Sequence, residues 1–160
     1  MVNSDYNNSI MSIKLRKVVT MGILAALLAA CAGDRPSNLG VKSGLLAACP
    51  SSPNCVSSQV ADERHGIAPL TFSGDPDAAF ARLAKLLKNR PDTKIVEAAD
   101  SYLRVEFRTR FFVDDGEFLL DRERKIIHLR SASRIGHSDL GKNRSRIEEI
   151  RRDFEKGGQT

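Results

Sequence analysis

The sequence predicts an α+β fold, with an antiparallel sheet of about four strands and two amphipathic helices packed on one face. Three observations predict it. Residues 75–89, and a second stretch from Ser138-Asp139 to Gly157, repeat apolar residues every three to four positions, the helical period. Residues 94–113 and 117–133 instead alternate apolar with polar, the period of a strand with one wet side. Neither pattern can bury its apolar side alone, so each supplies the cover the other needs. The 160 residues suffice for one core, and 41% apolar against 28% charged content is that of a globular chain. With no Trp and two Tyr, an aromatic groove for sugars or bases has little material.

The first element is an address rather than part of the fold. Lys14, Arg16 and Lys17 precede the apolar run Val18 to Ala30, which is short for a bilayer span. The run ends in Leu28-Ala29-Ala30-Cys31, which resembles the lipobox of bacterial lipoproteins. The resemblance implies that residues 1–30 are a cleaved signal peptide. Cys31 would become the first residue and carry acyl chains, palmitate among them. An uncleaved anchor or an ordinary secretory signal is the alternative. Met11 is an alternative start. Leu46-Ala47-Ala48-Cys49 repeats the tetrapeptide, but Lys42, Ser43 and Gly44 break any apolar run before it.

Cleavage removes Lys14, Arg16, Lys17 and Asp5, so Lys plus Arg falls from 25 to 22 and Asp plus Glu from 20 to 19, leaving net +3. That mild charge, with an envelope address, argues against nucleic acid. It suits anionic headgroups or an acidic partner. Residues 31–48 have no helical or strand period and read as a flexible tether, whose Ala32–Ala48 part would reach ~20–25 Å as a coil. Residues 49–156 are the single domain and 157–160 a disordered tail. With Cys31 acylated, Cys49 and Cys55 remain, and an oxidising envelope favours a disulfide between them. A redox or metal pair with His65 is the alternative. Two thiols and one distant His do not complete a zinc shell, so no metal is expected.

The remaining elements follow in order. Ile67 to Phe72, interrupted by Pro69, reads as a short strand. Pro76 suits the first position of a helix capped by Asp75 or Gly74 and stopped by Pro91, with Ala79, Phe80, Leu83, Leu86 and Leu87 on one face. Lys94–Ala99 and Tyr102–Val113 form a hairpin about Asp100-Ser101, with Val96 facing Val105 and Ala98 facing Leu103. Leu103, Val105, Phe107, Thr109, Phe111 and Val113 then point inward, and Arg104, Glu106, Arg108 and Arg110 outward onto an open, charged face. Glu117–Asp121 and Arg124–Ser133 form a second hairpin. Pairing Asp121 with Arg124 would set Phe118 opposite Ile127 and Glu117 opposite His128. In the last helix, Leu140, Ile147, Ile150 and Phe154 make one stripe, and Arg144–Glu148 and Arg151–Glu155 are i,i+4 pairs.

Four motifs occur in order: Cys49-Pro50-Ser51-Ser52-Pro53-Asn54-Cys55-Val56-Ser57-Ser58; Val113-Asp114-Asp115 with Glu117-Phe118; Arg130-Ser131-Ala132-Ser133-Arg134 with Gly136; and Ser138-Asp139-Leu140-Gly141 with Asn143-Arg144. Through them residues 49–155 resemble the bacterial family designated domain of unknown function 1499. The resemblance implies an envelope protein, lipid-anchored or otherwise membrane-associated, and no settled activity. Two departures stand out. Gly116 replaces a usual apolar residue, and Arg110-Phe111-Phe112-Val113 is short by a residue or two.

The site chemistry concentrates at the last strand–helix junction. Arg130, Ser131, Ser133, Arg134, Ser138, Asp139, Asn143, Arg144 and Asp115 are the candidate ligand-binding residues. Guanidinium groups beside a helix N-terminus suit a phosphate or carboxylate. Alternatively, Asp139 or Asp115 neutralises them internally. Asp114 and Asp115 point to opposite faces and make no acid–base pair together. His65, His128 and His137 lack ligand spacing. There is no Gly-x-Ser-x-Gly elbow and no phosphate loop, so no catalytic residue and no cofactor is expected. The expected function is a lipid-anchored cell-envelope protein facing the periplasm, on the outer rather than the inner membrane because Ala32 follows Cys31. It would bind an anionic ligand or an envelope protein without chemistry. The alternatives are an envelope enzyme acting on anionic or phosphorylated material through Asp115, His128 or Asp139, and a structural assembly subunit.

Overall fold

A computed structural model describes residues 33–158; residues 1–32, which include the expected signal peptide and Cys31, and residues 159–160 lie outside the described residues. In chain order the elements are β1 (Cys55–Ser57), β2 (Leu70–Thr71), α1 (Pro76–Asn89), β3 (Thr93–Ala98), β4 (Tyr102–Arg108), β5 (Val113–Asp121), β6 (Ile126–Ser133) and α2 (Lys142–Lys156). They form a 6-stranded sheet in the order β1-β6-β5-β4-β3, with β2 also along β6. Every strand pair is antiparallel. The four long strands and two helices are those expected. β1 and β2 are short strips that share one edge of β6, opposite Arg130–Ala132 and Ile126–Ile127.

Both helices bury their stripes on the same face. Ala79, Phe80, Leu83 and Leu87 of α1 and Ile147, Ile150 and Phe154 of α2 join Leu103, Val105, Phe107, Phe118, Leu120, Ile127 and Leu129 in one core. Asp75 caps α1, its side chain accepting the Ala78 N–H at 2.7 Å. Gly116 lies opposite Val105, where the Phe107 ring covers it. A Cβ at Gly116 would collide with Phe107 Cε2, so the aromatic ring fills the space of the missing side chain.

The registers differ in detail. Ala98 pairs with Leu103 as expected, but Ile95, not Val96, pairs with Val105, because a bulge between Ile95 and Glu97 absorbs Val96. In the second hairpin Asp121 pairs with Ile126, so Phe118 faces Leu129 and Glu117 faces Arg130. The turn takes four residues rather than two: Asp121 Oδ1 accepts the Arg124 N–H, and Lys125 adopts φ 53°. A shift of two preserves which face each residue occupies.

Three further expectations are corrected. β4 ends at Arg108, and a tight connection closes on Thr109 N–H···O Phe112 at 2.9 Å, which turns Phe111 and Phe112 out to solvent. α2 begins at Lys142, so Leu140 is outside the stripe and exposed. Arg144 and Arg151 bond carbonyls of residues 64–69 instead of Glu148 and Glu155; Arg151 meets Glu148 at i,i+3.

The outer sheet face is charged but covered. The segment read as a tether lies along it as a strap. Arg35 Nη2 donates to Glu106 Oε1 at 2.6 Å, the Gly40 N–H to Glu117 Oε1 at 2.8 Å, and the Leu46 N–H to Gln59 Oε1 at 2.9 Å. Composition could not reveal this, because the strap is held by backbone donors and one arginine rather than by a periodic apolar face. At the other terminus Gly157 and Gly158 form the turn after α2.

Candidate functional site

The β6–α2 junction is divided by the sheet itself. Alternation along β6 turns Arg130 outward with Glu117, and Ser131 and Ser133 inward beside Gly116 and Asp114. Two separate polar clusters result.

On the outer face, Arg134 grips Asp115 in a two-pronged pair, with Nε and Nη2 each at 2.8 Å, and Nη2 also reaches Glu106 Oε1 at 2.7 Å. Arg108 Nη2 donates to the second Glu106 oxygen at 2.6 Å. Burial would raise the Glu106 carboxyl, but hydrogen bonds from Arg134, Arg35 and Arg108 outweigh it and hold it down at about 2. Glu117 accepts from Tyr102 Oη at 2.8 Å and pairs with Arg130 Nη1 at 3.5 Å. Burial and the Glu117 carboxylate push the Tyr102 phenol far up, so it stays a donor. Burial also pushes Arg130 down, against the pull of Glu117 and Asp115.

On the inner face Asn143 is the hub. Its Nδ2 donates to Asp139 Oδ2 at 2.8 Å, Ser133 Oγ at 3.0 Å and the Asn54 carbonyl at 3.3 Å, while Oδ1 accepts from Ser131. Asp139 fixes the start of α2 by accepting the Gly141 and Asn143 N–H groups at 3.0 and 2.7 Å. Asn54 locks the following loop through Nδ2 to the Gly136 carbonyl at 2.6 Å. The Cys49–Cys55 disulfide closes the loop that carries Asn54. His65 touches the same loop, its Nε2 lying 3.1 Å from the Ser52 carbonyl. One turn along α2, Arg146 is buried on Asp114, Nη1 to Oδ2 at 2.8 Å, with its guanidinium 4.6 Å from the Phe107 ring centre.

The candidate residues therefore do not converge. Arg130, Arg134 and Asp115 form the outer cluster; Ser131, Ser133, Asp139 and Asn143 form the inner one. Ser138 accepts the Leu140 N–H, and Arg144 ties down the Gly66 and Arg64 carbonyls at 2.8 and 3.0 Å. Each named guanidinium already has a carboxylate or carbonyl partner, so the geometry is that of internal neutralisation rather than of an anion pocket. Among the described residues no group of three or more His, Cys, Asp or Glu could hold a metal ion.

What the junction leaves accessible is apolar. A cleft of about 300 Å³ opens between the β4–β5 connection and the loop before α2, lined by Phe112, Ile135 and Leu140 above Asp114, Ser133 and Asp139. Sequence reasoning placed Phe112 in a strand and Leu140 in a helical stripe and passed over Ile135; all three sit in loops, where periodicity misleads. It also missed Arg146, since an arginine inside a helical stripe reads as solvent-facing. Its place between Asn143 and Ile150 on the Ile147 side of the helix was the available clue. At the far edge, Ser58 Oγ lies 3.2 Å from His128 Nδ1 and accepts the Leu129 N–H at 2.9 Å. Burial lowers His128.

No curated protein and no solved structure matches the chain. A family model described as "protein of unknown function (DUF1499)" matches residues 45–154. The disulfide loop, the Asp114-Asp115 strand, β6 and the capped start of α2 all fall within that span, and the chain belongs to this family.

Proposed function

We propose that this protein is a lipid-anchored, periplasm-facing module of the bacterial cell envelope that binds without catalysing. The observation carrying the non-catalytic reading is the internal pairing of the junction. Arg134 is spent on Asp115 and Glu106, Arg130 on Glu117, and Asn143 on Ser133 and Asp139, so these groups serve the fold. The anchor reading rests on Leu28-Ala29-Ala30-Cys31, and Ala32 favours the outer membrane. The cleft at the β6–α2 junction is the binding surface, and its walls suit an apolar partner rather than an anion. Metabolic labelling with a fatty acid tests the anchor. Label is expected in the native chain and not in Cys31→Ser; an unlabelled native chain rejects it.

One observation favours a second reading, an envelope hydrolase: the Ser58–His128 contact joins a hydroxyl to an imidazole that burial keeps neutral. Its structural use is plain, because Ser58 also holds the Leu129 N–H and so fastens the loop after β1 to β6. A panel of chromogenic esters and phosphoesters separates the two. Turnover by the native chain that vanishes in His128→Ala establishes the hydrolase; equal background in both supports binding alone.

A further inference from the structure

We propose that the end of the domain bearing Phe111, Phe112, Ile135 and Leu140 is a membrane-contact patch, seated in the interfacial layer of the bilayer that holds the Cys31 anchor. This deepens the reading above and rests on its lipid anchor.

Among the described residues six large apolar side chains are exposed, and four of them are here: Phe111 at 56%, Phe112 at 50%, Ile135 at 37% and Leu140 at 96%. Phe112, Ile135 and Leu140 line one cleft, and Phe111 adjoins Phe112 at the tip of the β4–β5 connection. Isolated exposed apolar residues need no explanation, but a cluster does.

Leu140 is also held out. It adopts φ 53°, a conformation that favours Gly or Asn. Bonds on both sides fix it there: Ser138 Oγ accepts its N–H at 3.2 Å, and Asp139 accepts the next two N–H groups available at the helix start, those of Gly141 and Asn143. A leucine kept almost wholly in water on a rigid, strained turn fits a surface that becomes covered.

The occupant follows from where the chain leaves the described residues. Gly33 sits against this same loop: a Cβ built on it would lie 2.7 Å from Ile135 Cγ2 and 2.9 Å from Arg134 Cβ. Cys31 is only two residues further, a reach of at most ~7 Å for extended chain. Because the strap fastens at Arg35, a coil of ~20–25 Å does not separate anchor from domain. Acyl chains on Cys31 would bring the apolar end to the bilayer. Arg110, stacked 5.4 Å from the Phe111 ring centre, and Lys142 on the cleft rim flank the patch and match anionic headgroups.

The chain has no Trp, so single tryptophans report cleanly. The full acylated protein would be purified in detergent and reconstituted into phosphatidylethanolamine–phosphatidylglycerol vesicles with or without brominated acyl chains. Phe111→Trp and Leu140→Trp probe the patch. Ala81→Trp is the control, since Ala81 lies beside Ala98, Asp100 and Arg122 at the opposite end of the sheet. All three are surface positions, and an unchanged Tm confirms the fold. Emission at positions 111 and 140 should shift to the blue and be quenched about twofold or more by bromine, with position 81 unaffected. Intact mass of the same preparation reports acylation. Acylated protein with both reporters unquenched overturns the patch and leaves the anchor standing. A blue shift that grows with protein density but not with bromine indicates a second copy and overturns the patch as well. Unacylated protein overturns the anchor, and the patch falls with it.

Discussion

The two faces of the sheet bury charge in opposite ways. On the inner face Arg146 has one close carboxylate, Asp114 at 2.8 Å inside the helix-covered core, and a second, Asp92, at 3.7 Å. On the outer face Glu106 alone receives Arg134, Arg108 and, from the strap, Arg35, and Arg134 is shared with Asp115. If Asp114 is lost, only that longer contact to part-exposed Asp92 is left to Arg146. The network redistributes. A buried ion pair is costly to break and cheap to replace by matched apolar groups, whereas a multiply contacted carboxylate tolerates losing one donor.

The largest effect should come from the inner pair. Asp114→Ala leaves buried Arg146 with only the longer contact to part-exposed Asp92 at 3.7 Å and should cost about 3–5 kcal/mol in urea unfolding. Asp114→Leu combined with Arg146→Met should recover most of that. A small loss in the single variant would show that the two faces do not differ as described.

Arg134→Ala comes next, at roughly 3 kcal/mol, because Asp115 loses a two-pronged partner while Glu106 keeps two others. Were Arg134 a ligand-capturing residue, the same change would leave stability nearly intact, so thermal unfolding decides its role. Acid titration sharpens the point. Glu106 is held at about 2, below the ordinary 4.5, so the unfolded chain takes up its proton first as pH falls. Its contribution is complete above about 4.5 and is lost on the way down to 2. In Arg134→Ala that acid-dependent loss should shrink.

Reducing the Cys49–Cys55 bond should cost about 2 kcal/mol, since it closes a short loop. It should loosen Asn54 and the Gly136 loop rather than either charged cluster, as hydrogen exchange can show. Arg35→Ala should do least, under about 1 kcal/mol, because the guanidinium is half exposed and Glu106 retains Arg134 and Arg108.

Periodic parts of the fold were legible in the sequence. The Asp75 cap, the α1 face, the Ile147–Ile150–Phe154 stripe and the Ala98–Leu103 pairing all follow from local rules. The β5–β6 register escaped by two residues because no Gly marks the four-residue turn, whose left-handed residue is Lys125. The Val96 bulge likewise leaves no mark, because Ile95 and Val96 are both apolar and either could face Val105. At the junction the residue types were legible but their grouping was not. Arg130 and Ser131 are adjacent in sequence, and the pleat sends them to opposite faces, so proximity along the chain overstated proximity in space. Asn54 joined them from a loop 89 positions before Asn143, beyond the reach of any local pattern.

The strap has a practical corollary for anyone shortening the gene. A product trimmed to begin at Cys49 would shed Arg35 and the Gly40 amide, and water would reach Glu106 and Glu117. The boundary that preserves the folded unit lies at Gly33, ahead of where the family match begins.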